Sequence, residues 1–136
     1  MRGRKCTVAA GILCLIAAPS LAQEYQPYPS PRITPRQWAR YGEQVRQNYG
    51  ASLQVFKDKR LIAFSDEHTL TFWVFTMKRH PAHPAWITRQ VYEEDGQVRV
   101  RQIGYFAGSE EAFAKLFDEY LQRNEELIAD VTRRNQ

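Results

Sequence analysis

Thr69-Leu-Thr-Phe-Trp-Val-Phe-Thr-Met-Lys-Arg-His-Pro-Ala-His-Pro-Ala-Trp-Ile87 is the stretch on which the fold turns. From Thr69 to Lys78 one parity carries Leu70, Phe72 and Val74, and the other carries Trp73, Phe75 and Met77. A strand apolar on both faces belongs in mid-sheet, with a packed layer on each side. Beyond it, His80-Pro81-Ala82-His83-Pro84 ends regular structure, because proline has no N–H for a ladder and restricts the residue before it.

C-terminal to this stretch, Trp86 to Phe106 reads as a hairpin. Asp95-Gly96 is a favoured pair for a two-residue type I′ turn. That turn sets Glu93 opposite Val98, Val91 opposite Val100 and Ile87 opposite Gly104. Ile87, Val91, Val98 and Val100 then share a core face. Trp86, Thr88, Gln90, Tyr92, Arg99, Arg101, Ile103 and Tyr105 share the other, a basic and aromatic face. The alternation falters at Gln102. Either a bulge turns Ile103 and Tyr105 into the core, or they stay outward beside Trp86. Ser109 then caps a last helix, with Glu110 and Glu111 at its positive end. Phe113, Leu116, Phe117, Tyr120, Leu121, Asn124, Leu127, Ile128 and Val131 give that helix one broad apolar face.

N-terminal to the central strand, Ala51, Leu53 and Val55 alternate with polar residues and read as a strand. The turn Lys57-Asp58-Lys59 leads to a second strand, Arg60 to Ser65, and Asp66-Glu67-His68 turns into the third. Thr34-Pro35 opens a helix carrying Trp38, Tyr41, Val45 and Tyr49 on one stripe, with Gly50 as its stop. The expected fold is therefore a single α+β domain over residues 34–132. It holds an antiparallel sheet of about five strands flanked by an N-terminal and a C-terminal helix, in the order α-β-β-β-β-β-α. Residues 23–33, with Pro27, Pro29 and Pro31, read as a flexible proline-rich leader, and residues 133–136 as a frayed tail.

The first 22 residues read as a secretory signal peptide. Arg2, Arg4 and Lys5 precede an apolar run too short to span a bilayer, and Ser20-Leu21-Ala22 suits signal peptidase. Cleavage after Ala22 leaves 136 less 22, or 114, residues. The signal takes three of the 19 basic residues and none of the 15 acidic ones, so the net charge falls from +4 to +1. With that charge, an electrostatic case for nucleic-acid binding disappears. Cys6 and Cys14 leave as well, and the mature domain must hold itself together by packing. A cysteine-free exported chain without a glycosylation sequon points to a bacterial periplasm or secretion, with no stable membrane span after cleavage.

Three chemistries compete. The first is a non-catalytic binding module for an envelope protein, a peptide or a small ligand. Its surface would be the aromatic-basic face and the rim of the His-Pro loop: Trp73, His80, His83, Trp86, Arg99, Arg101 and Tyr105. Aromatic residues and arginines are enriched where binding energy concentrates. The competing expectation for that face is a second core layer under the first helix. The second chemistry is weak zinc or copper binding by His80 and His83, imidazoles three residues apart. Two ligands fall short of a closed site, and His68 lies at the far end of a strand ~30 Å long. The third is a small hydrolase, for which there is no G-x-S-x-G, no glycine-rich phosphate loop, and only the turn carboxylates Glu93-Glu94-Asp95. No cofactor is expected on the first reading.

Overall fold

The computed structural model describes residues 25–135; the expected signal, residues 1–22, lies outside them. The described chain forms one five-stranded antiparallel sheet in the order β1-β2-β3-β4-β5, with helical segments before and after it. The strands are β1 (Gln54–Phe56), β2 (Leu61–Asp66), β3 (Thr71–Thr76), β4 (Ala85–Glu94) and β5 (Gln97–Phe106). The helices are α1 (Pro35–Tyr49), α2 (Glu110–Gln122) and α3 (Asn124–Arg134).

The central strand lies at the middle of the sheet. Thr71, Trp73, Val74, Phe75 and Thr76 are buried, so both faces of β3 are covered along most of its length. The β4–β5 ladder is unbroken from Glu94 opposite Gln97 to Ala85 opposite Phe106. Its turn has φ of 53° at Asp95 and 77° at Gly96, the two positive values a type I′ turn requires. No bulge intervenes, and Ile103 and Tyr105 stay on the face of Trp86.

Thr34 caps α1 reciprocally with Gln37. Gln37 N donates to Thr34 Oγ1 at 3.1 Å, and Thr34 N donates to Gln37 Oε1 at 2.9 Å. Gly50 follows the last residue of this helix as its C-terminal cap, as expected. Its φ is −59°, and the chain tightens into a 3₁₀ turn over Gly50–Ser52. The first strand therefore starts at Gln54 rather than Ala51. Ser52, expected within the strand, instead receives the Ser65 N–H on its hydroxyl at 2.8 Å.

Two layers cover the sheet. On one face Phe113, Leu116 and Tyr120 of α2 pack on Leu61, Val74, Ile87 and Phe106. On the other, Tyr41 and Val45 of α1 pack with Phe64, Trp73, Phe75, Trp86 and Tyr105. The last helix is not continuous. It breaks at Arg123 and resumes at Asn124, whose side chain is held by the sheet: Arg89 donates to Asn124 Oδ1 at 3.2 Å, and Asn124 donates to Gln102 Oε1 at 3.2 Å. Helical structure then extends to Arg134, two residues into the expected tail.

Residues 25–33 of the expected leader are docked on the sheet. Phe106 N donates to the Pro31 carbonyl and Ile33 N to the Phe106 carbonyl, each at 2.9 Å, so the chain starts a parallel partner for β5. Tyr28 packs edge-on against Tyr105 with ring centroids 5.9 Å apart, and its carbonyl accepts the Tyr105 hydroxyl at 2.9 Å.

Candidate functional site

Of the residues expected to form a binding face, three are inside the protein. Trp73, Trp86 and Tyr105 are 1%, 0% and 4% exposed. Tyr41 stacks on Trp86 at 4.3 Å and Tyr49 on Trp73 at 4.6 Å, and Trp73 Nε1 donates to the Tyr41 hydroxyl at 2.9 Å. The face is thus the covered core layer, closed by α1 and by Tyr25 and Tyr28 of the leader. Arg99 and Arg101 lie apart from these three on the exposed part of the hairpin. Arg99 pairs with Glu94 at 3.5 Å, and the Arg101 guanidinium stands 5.1 Å from the Tyr92 ring centre.

The two loop histidines face different neighbours. His83 Nδ1 hydrogen-bonds the Thr76 hydroxyl at 2.8 Å, and its ring meets Trp38 edge-on at 4.9 Å. His80 Nδ1 accepts the Ala82 N–H at 3.0 Å, which leaves Nε2 as the protonated nitrogen of the neutral ring. Burial lowers the pKa of both; Glu119 opposes this at His80, and a hydrogen bond with the Thr76 backbone opposes it at His83. Among the described residues no three His, Cys, Asp or Glu side chains come together to hold a metal ion.

A different place gathers unneutralised charge beside apolar surface. Helices α2 and α3 leave part of the sheet uncovered along β1, the distal half of β2 and Phe72. A groove of about 900 Å³ opens there. Leu53, Phe56, Leu61, Phe72 and Val74 supply its apolar lining. Arg89 of β4 together with Tyr120 and Arg123 at the end of α2 form its wall. A side chamber of about 250 Å³ shares Lys59, Leu61, Tyr120 and Arg123 with the groove and adds His80, Leu116 and Glu119.

The wall is built around Tyr120. The Arg89 guanidinium stands 4.9 Å from its ring centre and that of Arg123 5.6 Å, both within cation–π range. Burial raises the Tyr120 pKa, and the two arginines oppose the rise. Burial also lowers the pKa of Arg89, although a guanidinium stays protonated in any protein. Among the described residues no carboxylate pairs with Lys59, Arg89 or Arg123. Arg134, at the groove's edge, is held by Asp130 at 2.8 Å.

A second groove of about 630 Å³ lies between the leader, β5 and α2, over Tyr28, Pro31, Phe106, Phe113 and Phe117. Its rim cation Arg32 is already paired with Glu110 at 3.2 Å, and it offers less unsatisfied charge.

Arg89 was the residue whose sequence position carried a signal. It shares the parity of Ile87 and Val91, so it is a charge on a core-facing edge of the hairpin. Lys59 and Arg123 gave no such signal, since nothing local distinguishes them from solvated surface residues. Comparisons with protein-family models, curated proteins and solved structures found no match for this chain.

Proposed function

We propose that this chain is an exported, non-catalytic binding module whose ligand occupies the groove beside β1 and β3. The observation that carries the reading is Arg89: a half-buried cation with no carboxylate partner among the described residues, on the wall of a cavity with an apolar floor. A pocket of mainly apolar lining with a few placed polar groups is the usual form of a small-ligand site. Desolvating a charge without neutralising it is costly, and a bound anion would offset that cost. His80 brings the His-Pro loop into the same region, through the side chamber. No helix of the described residues is long and apolar enough to cross a membrane. Zinc or copper binding has less support, because His80 and His83 point to different partners.

The test is mass spectrometry of small molecules extracted from protein recovered from the envelope fraction of expressing bacteria. Phe72→Glu places a carboxylate on the groove floor. A species retained by the wild-type protein and lost from Phe72→Glu, at equal melting temperature, is the expected result. Identical extracts from the two proteins would count against the groove.

A further inference from the structure

We infer that the groove takes a single-chain amphiphile with a monoanionic carboxylate head, the chemistry of a free fatty acid; this rests on the binding reading above. The head would lie against Arg89 and Arg123, and the tail over Phe72, Leu53 and Phe56.

Charge balance selects the head. The groove and side chamber are lined by Lys59, Arg89, Arg123 and Arg134 against Glu67 and Glu119, and Arg134 shares the Asp130 carboxylate with Arg133. The lining therefore carries net positive charge. Net positive charge favours an anionic head, and hydration decides between a monoanion and a dianion. Ionic hydration grows with the square of the charge, so a dianionic head would lose far more hydration on entering a partly desolvated site. The guanidinium of Arg89 gives one nitrogen to Asn124 and keeps further N–H donors for a planar oxyanion. The Arg89 and Arg123 guanidiniums both lie close to the Tyr120 ring, 4.9 Å and 5.6 Å from its centre, so the two cations belong to one part of the wall.

The tail follows from the floor. Leu53 is 38% exposed and Phe56 43%, and both lie on or beside β1, where no helix covers them. Phe72 is half-buried, and its strand neighbours are fully buried. Apolar surface continuous with a cationic end suits a molecule with one polar end and one flexible chain. A cation of the same chain length would meet Arg89 and Arg123 with like charge.

Isothermal titration of the processed full-length protein with dodecanoate, below the concentration at which it forms micelles, tests the assignment. Dodecyl phosphate and dodecyltrimethylammonium serve as the other arms. The expected result is saturable binding of dodecanoate at one site, with dodecyl phosphate weaker and the trimethylammonium compound undetected. Arg123→Gln, at an exposed position, should lower dodecanoate affinity by about tenfold or more at unchanged melting temperature. Arg89→Gln should lower it further, and Arg123→Gln keeps the test decisive if that variant folds poorly. Equal binding of the trimethylammonium compound, tighter binding of the phosphate, or unchanged affinity in Arg123→Gln would each overturn the inference. Failure of dodecanoate to bind while Phe72→Glu still loses a co-purifying species would overturn the carboxylate assignment and leave the groove reading standing.

Discussion

A methyl group added at Gly108 would lie 2.5 Å from the His83 carbonyl oxygen, whereas one added at Gly42 would meet Phe75 at an ordinary 3.5 Å. The first clash is with backbone, and no rotamer change relieves it. Gly108→Ala should therefore cost ~1–3 kcal/mol by overpacking. Gly42→Ala, inside α1, should add ~0.5–1 kcal/mol by lowering the entropy lost on folding. Urea denaturation of the two variants should move the midpoint in opposite directions, and a shift of the same sign would refute the contrast. The histidines make a second prediction. Their pKa values are lower in the folded protein than the ordinary ~6.5, chiefly through burial, so the native state prefers the neutral ring. Their contribution to stability is complete above the unfolded value and is lost as pH falls through the folded value. Between about pH 7 and pH 5 the wild-type unfolding free energy should decline more steeply than that of His80→Gln with His83→Gln. Parallel pH profiles would show that burial of these rings carries no such cost. At this scale the sequence marks Trp73, Trp86 and Tyr105 but not which of two faces lies open, and Arg89, on the core parity of the hairpin, was missed. Trp86 and Tyr105 look the same in sequence whether a helix covers them or a ligand does.

Among the elements, the hairpin was legible because its turn is specified locally. Two positive φ values are needed, Asp-Gly supplies them, and the register of all the rungs from Glu94–Gln97 to Ala85–Phe106 follows. The first strand was misplaced because Ala51 to Val55 alternates like a strand, while the Ser52 hydroxyl draws the chain into a cap on Ser65. The break at Arg123 was hidden by an apolar stripe that keeps its period across it; Asn124 on that stripe was the one discordant residue. The leader was read as flexible since three prolines exclude a regular ladder. Yet a proline carbonyl can still accept, and Pro31 accepts from Phe106 while Ile33 donates. A chain beginning at Ile33 should accordingly lose the cover of Tyr25 and Tyr28 over Trp73, Trp86 and Tyr105. Its tryptophan emission should shift to longer wavelength and its melting temperature should fall; unchanged values would mean that the leader adds nothing to the core. Helix α2 makes a finer distinction. Leu116 is 3% exposed, whereas Phe117 is half-buried at the edge of the second groove. Leu116→Ala should cost ~2–5 kcal/mol, and Phe117→Ala less despite the larger side chain removed. Equal shifts in denaturation midpoint would contradict this placement of the helix.

For the molecule as a whole, the unequal cover of the sheet and the expected export belong to one account. A small domain without disulfides must commit most of its apolar surface to packing. Here that packing is concentrated on the central strands: aromatic rings of α1 and the leader on one face, α2 on the other. Large apolar side chains are left exposed at Leu53, Val55, Phe56 and Leu121, and of these Leu53 and Phe56, with the half-buried Phe72, line the groove that holds Arg89 and Arg123. The proposed mature chain would begin at Gln23, ahead of the first described residue, Tyr25. Signal cleavage would thus retain every described residue and remove both cysteines, Cys6 and Cys14. Two measurements on protein from a cell-envelope fraction follow. Intact mass should correspond to the 114 residues that remain when 22 are removed from 136. The melting temperature of that protein should be the same with and without a reducing agent, because no thiol is left to form a bridge. A full-length chain in the membrane fraction would remove the export reading and, with it, the envelope as the source of the ligand. The aromatic core and the Arg89 groove would be untouched by that outcome, since none of the residues that build them lies within the signal.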